Sequence, residues 1–255
     1  MEQNLKSEGK CLYCGKMFAK AGINRHLIKH LEEKEVNGHP GHSFLVKIEQ
    51  NPSWGRAPYF LSLWVDGETK MKDIDAFLRD IWLECCGHLS AFRNPKKRMS
   101  GGWDYFEAMA LMEQGRVKEY EKLMENCAGE IPMDRKVKNV FCKGLKLEYE
   151  YDFGSSTELI VEIVAEYSVK ADDKIVLLSR NEPIGWLCEK CGKAKATLIC
   201  TVCVGNEESM FCGKCAKKHA KECEDFADYA AMPIVNSPRM GVCAYEGGCI
   251  DTERN

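Results

Sequence analysis

A chain of 255 residues, 45% hydrophobic and 29% charged, has room for two or three folded units of ordinary globular composition. Its formal net charge of -3 gives no whole-chain attraction to nucleic acid or to an anionic membrane. No apolar run approaches the roughly 20 residues of a membrane span, and the opening MEQNLKSEGK lacks the apolar core of a secretory signal, so a cytoplasmic protein is expected.

Fifteen cysteines are too many for an unremarked core. In a reducing compartment a disulfide framework is not expected, and their placement points to metal instead. Cys11 and Cys14 stand at the front, and a dense cluster runs from Cys188 to Cys223, with only Cys85, Cys86, Cys127 and Cys142 between. The order reads as metal module, cysteine-poor domain, metal module.

At the front, CLYCGKMFAKAGINRHLIKH offers Cys11, Cys14, His26 and His30. His26 and His30 are four apart and share one side of a helix, so with a short hairpin carrying the two sulfurs they complete a tetrahedral zinc site. Phe18 and Ile23 supply the small core beneath it. The stretch resembles the two-Cys two-His zinc-finger family, with a middle loop one residue short of the usual spacing. Between the ligands lie Lys16, Lys20, Arg25 and Lys29 and no acid. A finger so charged suits phosphate contact, although one finger spans only about three base pairs. Contact with a protein, the lysines being a solvated face, is equally open. The finger is assigned to residues 1–31.

Residues 32–43 mix charge, Gly and Pro and read as a linker in which His39 and His42 are solvated. YFLSLWVDG then alternates, placing Tyr59, Leu61, Leu63 and Val65 on one face of a strand. Met71, Ile74, Phe77, Leu78, Ile81, Trp82 and Cys85 recur at helical spacing. Cys85, Cys86 and His88 lie close in sequence, but they read as the buried end of that helix. A second helix is expected over 104–125, weakened at Gly115, with Tyr105, Phe106, Met109, Met112, Tyr120, Leu123 and Met124 as core. A short helical turn near 134–141 follows. LKLEYEYDFGSSTELIVEIVAEY is a strand pair around a turn. Leu145, Leu147, Tyr149, Tyr151, Leu159, Val161, Ile163 and Ala165 face inward, and KIVLLS adds another strand. The expected fold class is α+β, an antiparallel sheet with packed helices flanked by two small zinc-stabilised modules.

The order of strand, helix and Tyr-Asp-Phe-Gly hairpin over residues 44–180 resembles the plasmid pRiA4b ORF-3-like family. The resemblance implies an α+β fold and a mobile-element or plasmid context, and it implies no mechanism. The commoner form continues Asp-Phe-Gly with an acid and a tryptophan, where this chain has Ser155 to Thr157. Asp152 with Glu148, Glu150 and Glu158 forms the one acidic cluster that suggests an enzyme site. No nucleophile elbow, phosphate loop or HExxH accompanies it, so an exposed acidic face is the plainer reading.

In the rear unit, 181–255, Cys188, Cys191, Cys200, Cys203, Cys212, Cys215, His219 and Cys223 make two sets of four for two zinc ions. A sequential division is open, because Cys215, His219 and Cys223 align on one helix face. The stretch also resembles the MYND and HIT type of binuclear finger. That resemblance implies an interleaved division: Cys188, Cys191, Cys212 and Cys215 on one ion, Cys200, Cys203, His219 and Cys223 on the other. Seven lysines against four glutamates over 188–223 balance the thiolates, so this module has little pull on phosphate, and a protein contact or plain structural stapling is expected. Cys243 and Cys249 in the Pro-broken tail read as buried or free thiols. The sequence thus predicts three structural zinc ions in a non-enzymatic protein that binds nucleic acid weakly by Lys16, Lys20, Arg25 and Lys29, and binds a protein partner through its rear. A purely protein-binding adaptor is the alternative, and an enzyme at the Tyr-Asp-Phe-Gly hairpin is the second.

Overall fold

The computed structural model describes residues 6–52, 58–97, 103–205 and 208–254. A hairpin of β1 (Glu8–Lys10) and β2 (Met17–Ala19) leads into α1 (Ile23–Asn37). The next strands are β3 (Pro40–Gln50) and β4 (Phe60–Asp66), followed by α2 (Met71–Leu78) and a π-helical turn (Arg79–Leu83). After β5 (Ser90–Arg93) come α3 (Trp103–Glu113) and α4 (Val117–Ala128), a 3-10 turn (Val137–Asn139), β6 (Lys146–Tyr151), β7 (Thr157–Val169) and β8 (Ile175–Arg180). The rear unit adds β9 (Leu198–Cys200), β10 (Met210–Phe211), α5 (Gly213–Glu222) and β11 (Ala231–Pro233).

The fold is α+β. Six antiparallel strands form one sheet in the order β5-β6-β7-β3-β4-β8. One face carries the main core: Phe44, Val46 and Ile48 of β3, Leu61, Leu63 and Val65 of β4, and Tyr149, Val161 and Ile163 pack under Ile74, Leu78, Ile81 and Trp82. Tyr149 donates its hydroxyl to Asp75 at 2.8 Å, and Asp75 is also held by Arg79 at 2.8 Å. The buried phenol is pushed well above its ordinary pKa, by desolvation first and by the Asp75 charge second.

The opposite face is where the sequence reading needs correction. Residues 32–43 are not an irregular linker: α1 runs unbroken to Asn37 and β3 begins at Pro40. A helix fused so directly to a strand folds back onto the sheet. Ile23, Leu27 and Leu31 of α1 are fully buried against Leu45, Phe60, Trp64 and Leu178. The hairpin follows: Gly9 bridges to Asn181, and a Cβ at Gly9 would lie 2.6 Å from the Phe60 ring. The front unit and the central unit therefore share a core. β4 is apolar on both faces because it is covered on both.

β7 changes face partway. Leu159, Val161 and Ile163 belong to the main core, whereas Ala165, Tyr167 and Val169 belong to the core under α1. The pairing with β3 slips by one residue between Leu45–Ala165 and Val46–Ile163. An extra residue turns every later side chain over, so Ala165 does not share the face of Ile163.

The helix expected over 104–125 is two, parted at Gly115, whose φ of +69° suits glycine. Its stripe is not core: Phe106, Met109 and Met112 are exposed, and Ala108 and Leu111 are buried. Tyr105, Met124 and Cys127 have side chains outside the described residues. No helix among the described residues is long and apolar enough to cross a membrane.

Candidate metal centres

Among the described residues, four groups of Cys and His side chains come together, and within each the donor atoms all lie within 4.8 Å of one another. The first is Cys11, Cys14, His26 and His30. Its two cysteines flank the β1–β2 turn, where Gly15 at φ +73° closes a loop with Gly15 N–H donating to Cys11 O at 2.8 Å. The imidazoles come from successive turns of α1, with His26 and His30 Nε2 atoms 3.1 Å apart and Cys14 Sγ 3.2 Å from His26 Nε2. Phe18 stacks on His26 at 4.1 Å. Burial chiefly, then the neighbouring His30, Lys16 and Lys29, hold the His26 pKa below its usual value, which favours the neutral ring that a metal needs.

In the rear unit the structure brings together Cys188, Cys191, Cys212 and Cys215 in one group and Cys200, Cys203, His219 and Cys223 in another. The helix α5 explains the interleaving. Cys212 caps it, Cys215 sits in its first turn, His219 follows one turn later, and Cys223 ends it. With β9 and β10 hydrogen-bonded, Cys200 at the end of β9 lies on the His219 side. Phe211 stacks on His219 at 4.2 Å and Phe226 meets it edge-on at 4.8 Å, fixing the ring with Nε2 3.6 Å from Cys203 Sγ. Backbone N–H groups do part of a metal's work on the sulfurs: Ala194 first, then Lys193, draw the Cys191 thiol down to about 6, and Cys215 N–H lowers Cys212. In the same two rear sets burial first, then the neighbouring cysteines, push Cys215 and Cys203 up to about 12, so each set also holds a proton that a soft metal would displace.

The fourth group is Cys85, Cys86, His88 and Cys243. This corrects two sequence expectations: Cys85 and Cys86 do not simply end a helix face, and Cys243 is not solitary. Cys249 stays outside the group, its N–H donating to Asp80 O at 2.7 Å. Donor sets rich in sulfur, with nitrogen and no oxygen, suit zinc among the common divalent ions. Zinc would find four protein donors at each set.

Three acids of the cluster expected around Asp152 are each held by a partner, with Glu150 and Glu158 opposite each other across β6 and β7. Asp152, at φ +64°, accepts from Gly154 and Ser155 N–H and from the fully buried Arg239 at 2.7 Å. The Arg239 guanidinium and those two N–H groups hold its carboxyl at about 2. Glu150 pairs with Arg93 and accepts from Ser156 Oγ, while Glu158 accepts from Asn51 at 2.8 Å. Of the basic residues assigned to phosphate, Lys16, Arg25 and Lys29 are exposed. Lys20 is ion-paired with Glu49 of β3 at 2.7 Å, a consequence of finger docking that sequence reasoning missed.

No protein-family model matches the chain, and no curated protein matches it. Among solved structures, a protein of unknown function, MM3350, from Methanosarcina mazei Go1 is similar over 54% of this chain and 67% of that chain, at 14% identity and a TM-score of 0.36. A likeness of that degree carries no functional assignment.

Proposed function

We propose that the chain is a non-enzymatic zinc-binding protein of mobile-element type, which contacts nucleic acid weakly through its front finger and a protein partner through its rear unit. The observation that carries this reading is the completeness of the donor sets. Cys11, Cys14, His26 and His30, and both sets of the rear unit, offer four side-chain donors each. Such a set leaves no open position for a reacting water, which is the mark of a structural site. The family resemblance of residues 44–180 supports the mobile-element context, and the many reduced thiols suit the cytoplasm.

For nucleic acid, three of the four cations assigned to phosphate stay exposed on the docked finger. Arg25 and Lys29 are one helical turn apart on α1, and Lys16 lies near enough to His26 to act on its charge. Three phosphate contacts at about 0.9 each give a slope of log K against log salt of roughly -2.7. Titration of a short duplex against salt tests this. Lys16→Ala, Arg25→Ala and Lys29→Ala together should abolish binding, while Lys20→Ala should leave the slope unchanged. No binding even near 50 mM salt would give first place to the adaptor reading. That reading is favoured by exposed Leu187, Val202, Val204 and Tyr229 on the rear unit. The enzyme reading would require Asp152 to leave Arg239.

A further inference from the structure

We infer that Cys85, Cys86, His88 and Cys243 hold a fourth zinc-type ion, and that this ion is a clasp fastening the tail to the central domain. The inference goes beyond the three sites of the proposed function and does not depend on any partner.

The geometry is that of a tetrahedral site. With Zn–S near 2.3 Å and Zn–N near 2.0–2.1 Å, tetrahedral edges are about 3.8 Å between sulfurs and about 3.6 Å between sulfur and nitrogen. Cys86 Sγ and Cys243 Sγ are 3.6 Å apart, and Cys243 Sγ is 3.7 Å from His88 Nε2. In the rear unit the corresponding Cys203–His219 separation is 3.6 Å. A disulfide requires about 2.05 Å between its sulfurs, so Cys86 and Cys243 stand as co-ligands rather than as a bonded pair. Gly87, at φ +69°, makes the turn that lets His88 join the two sulfurs before it.

The surroundings match the charge of a metal-thiolate group. Three thiolates on one divalent ion leave one negative charge. The buried guanidinium of Arg239 points an Nη2 at Cys85 Sγ, 3.5 Å away, and lies over the Tyr151 ring at 4.8 Å. Arg239 is thus shared between the sulfur group and Asp152. Asp152 Oδ2 also lies 3.6 Å from His88 Nε2, so this carboxylate is the competitor that a metal would displace from the imidazole.

The ligands join elements 157 positions apart in sequence, and the tail approaches as a whole. Ser237 Oγ donates to Trp82 O at 2.7 Å, and a Cβ at Gly248 would come within 2.2 Å of Ile81 O. Cys243 itself holds a left-handed φ of +54°, a conformation that costs a non-glycine residue energy and persists where surroundings enforce it. Cys86 and Cys243 are exposed, whereas Cys188, Cys212 and Cys215 are buried. Cys14 of the front set is exposed as well, so a chelator reaches the clasp before the buried rear set of Cys188, Cys212 and Cys215.

Native mass spectrometry of the full chain, purified without added zinc, tests the assignment. Four zinc ions are expected, falling to three in Cys86→Ser/Cys243→Ser and staying at four in Cys249→Ser. In the unmutated chain, brief chelation should open Cys86 and Cys243 to alkylation and deprotect residues 237–251 to hydrogen exchange before Cys188, Cys212 and Cys215 become reactive. That arm needs no variant to fold. Three ions in the parent, with Cys86 and Cys243 freely alkylated or joined in a disulfide, would overturn the clasp and leave the proposed function standing. Four ions in both the parent and the double variant would overturn it equally. No zinc at all would sink both.

Discussion

Arg239 is the residue on which the tail turns. Its side chain is fully buried and donates to Asp152, to Thr157 Oγ1 and to the carbonyl of Ser155. Removing one partner of a buried pair leaves the other charge uncompensated, at a cost of about 3–5 kcal/mol. Arg239→Ala should therefore destabilise the chain by that order in denaturant melts, and Arg239→Lys should recover only part, because one ammonium cannot replace the planar fork. Asp152→Asn should also destabilise, since its single amide oxygen can accept from Arg239 or from Gly154 and Ser155 N–H, which donate to different oxygens of the carboxylate, but not from both. Equal melts for Arg239→Ala and the parent would mean the pair contributes nothing. None of this was legible in the sequence. An arginine 87 positions from its carboxylate partner leaves no spacing to read, and Asp152 read instead as part of an acidic face.

At the scale of elements, legibility follows locality. The front ligands are four apart on a helix or three apart in a turn, and the rear ligands come in regular pairs, so the short-range grammar of the sequence carries them. The clasp breaks that rule: Cys85, Cys86 and His88 are local, but their fourth partner is on the tail. The docking of α1 was hidden for a different reason. Beyond His30 the helix is rich in Glu and Lys, and its single inward side chain there is Leu31, which made the stretch look like a solvated linker. Leu27 is the sharpest probe of this docking, as it is fully buried between α1 and the sheet. Leu27→Ala should cost about 2–5 kcal/mol, as for other core leucines. A loss below about 0.5 kcal/mol would mean that α1 is not seated on the sheet.

The whole molecule is a two-faced sheet with a Cys/His group on several of its coverings. The main core, from Phe44 to Ile184, contains no ligand of the front or rear sets. The core under α1 contains Cys11 itself, so metal removal reaches into the sheet. Metal binding and folding are linked in such small units, with apparent site energies of about 10–16 kcal/mol in finger peptides. Full chelation should unfold the rear unit and free α1, raising hydrogen exchange in β1, β2 and α1 and on the edge strand β8, while β3, β6 and β7 keep protection from the main core. A front unit that melted with no change at Trp64 or Leu178 would mean that it is an independent finger, as the sequence alone suggested.

The central claim is that these side chains form closed sulfur-rich zinc sites. X-ray absorption at the zinc edge of the full chain, as purified, reads that directly. The front and rear sets hold nine sulfurs and three nitrogens, and the clasp adds three sulfurs and one nitrogen, so the average shell is the same with or without it. The account predicts four-coordinate zinc with three sulfurs near 2.3 Å for each nitrogen near 2.0–2.1 Å, and no water oxygen. A shell dominated by nitrogen and oxygen, or zinc with five or six ligands, would contradict it.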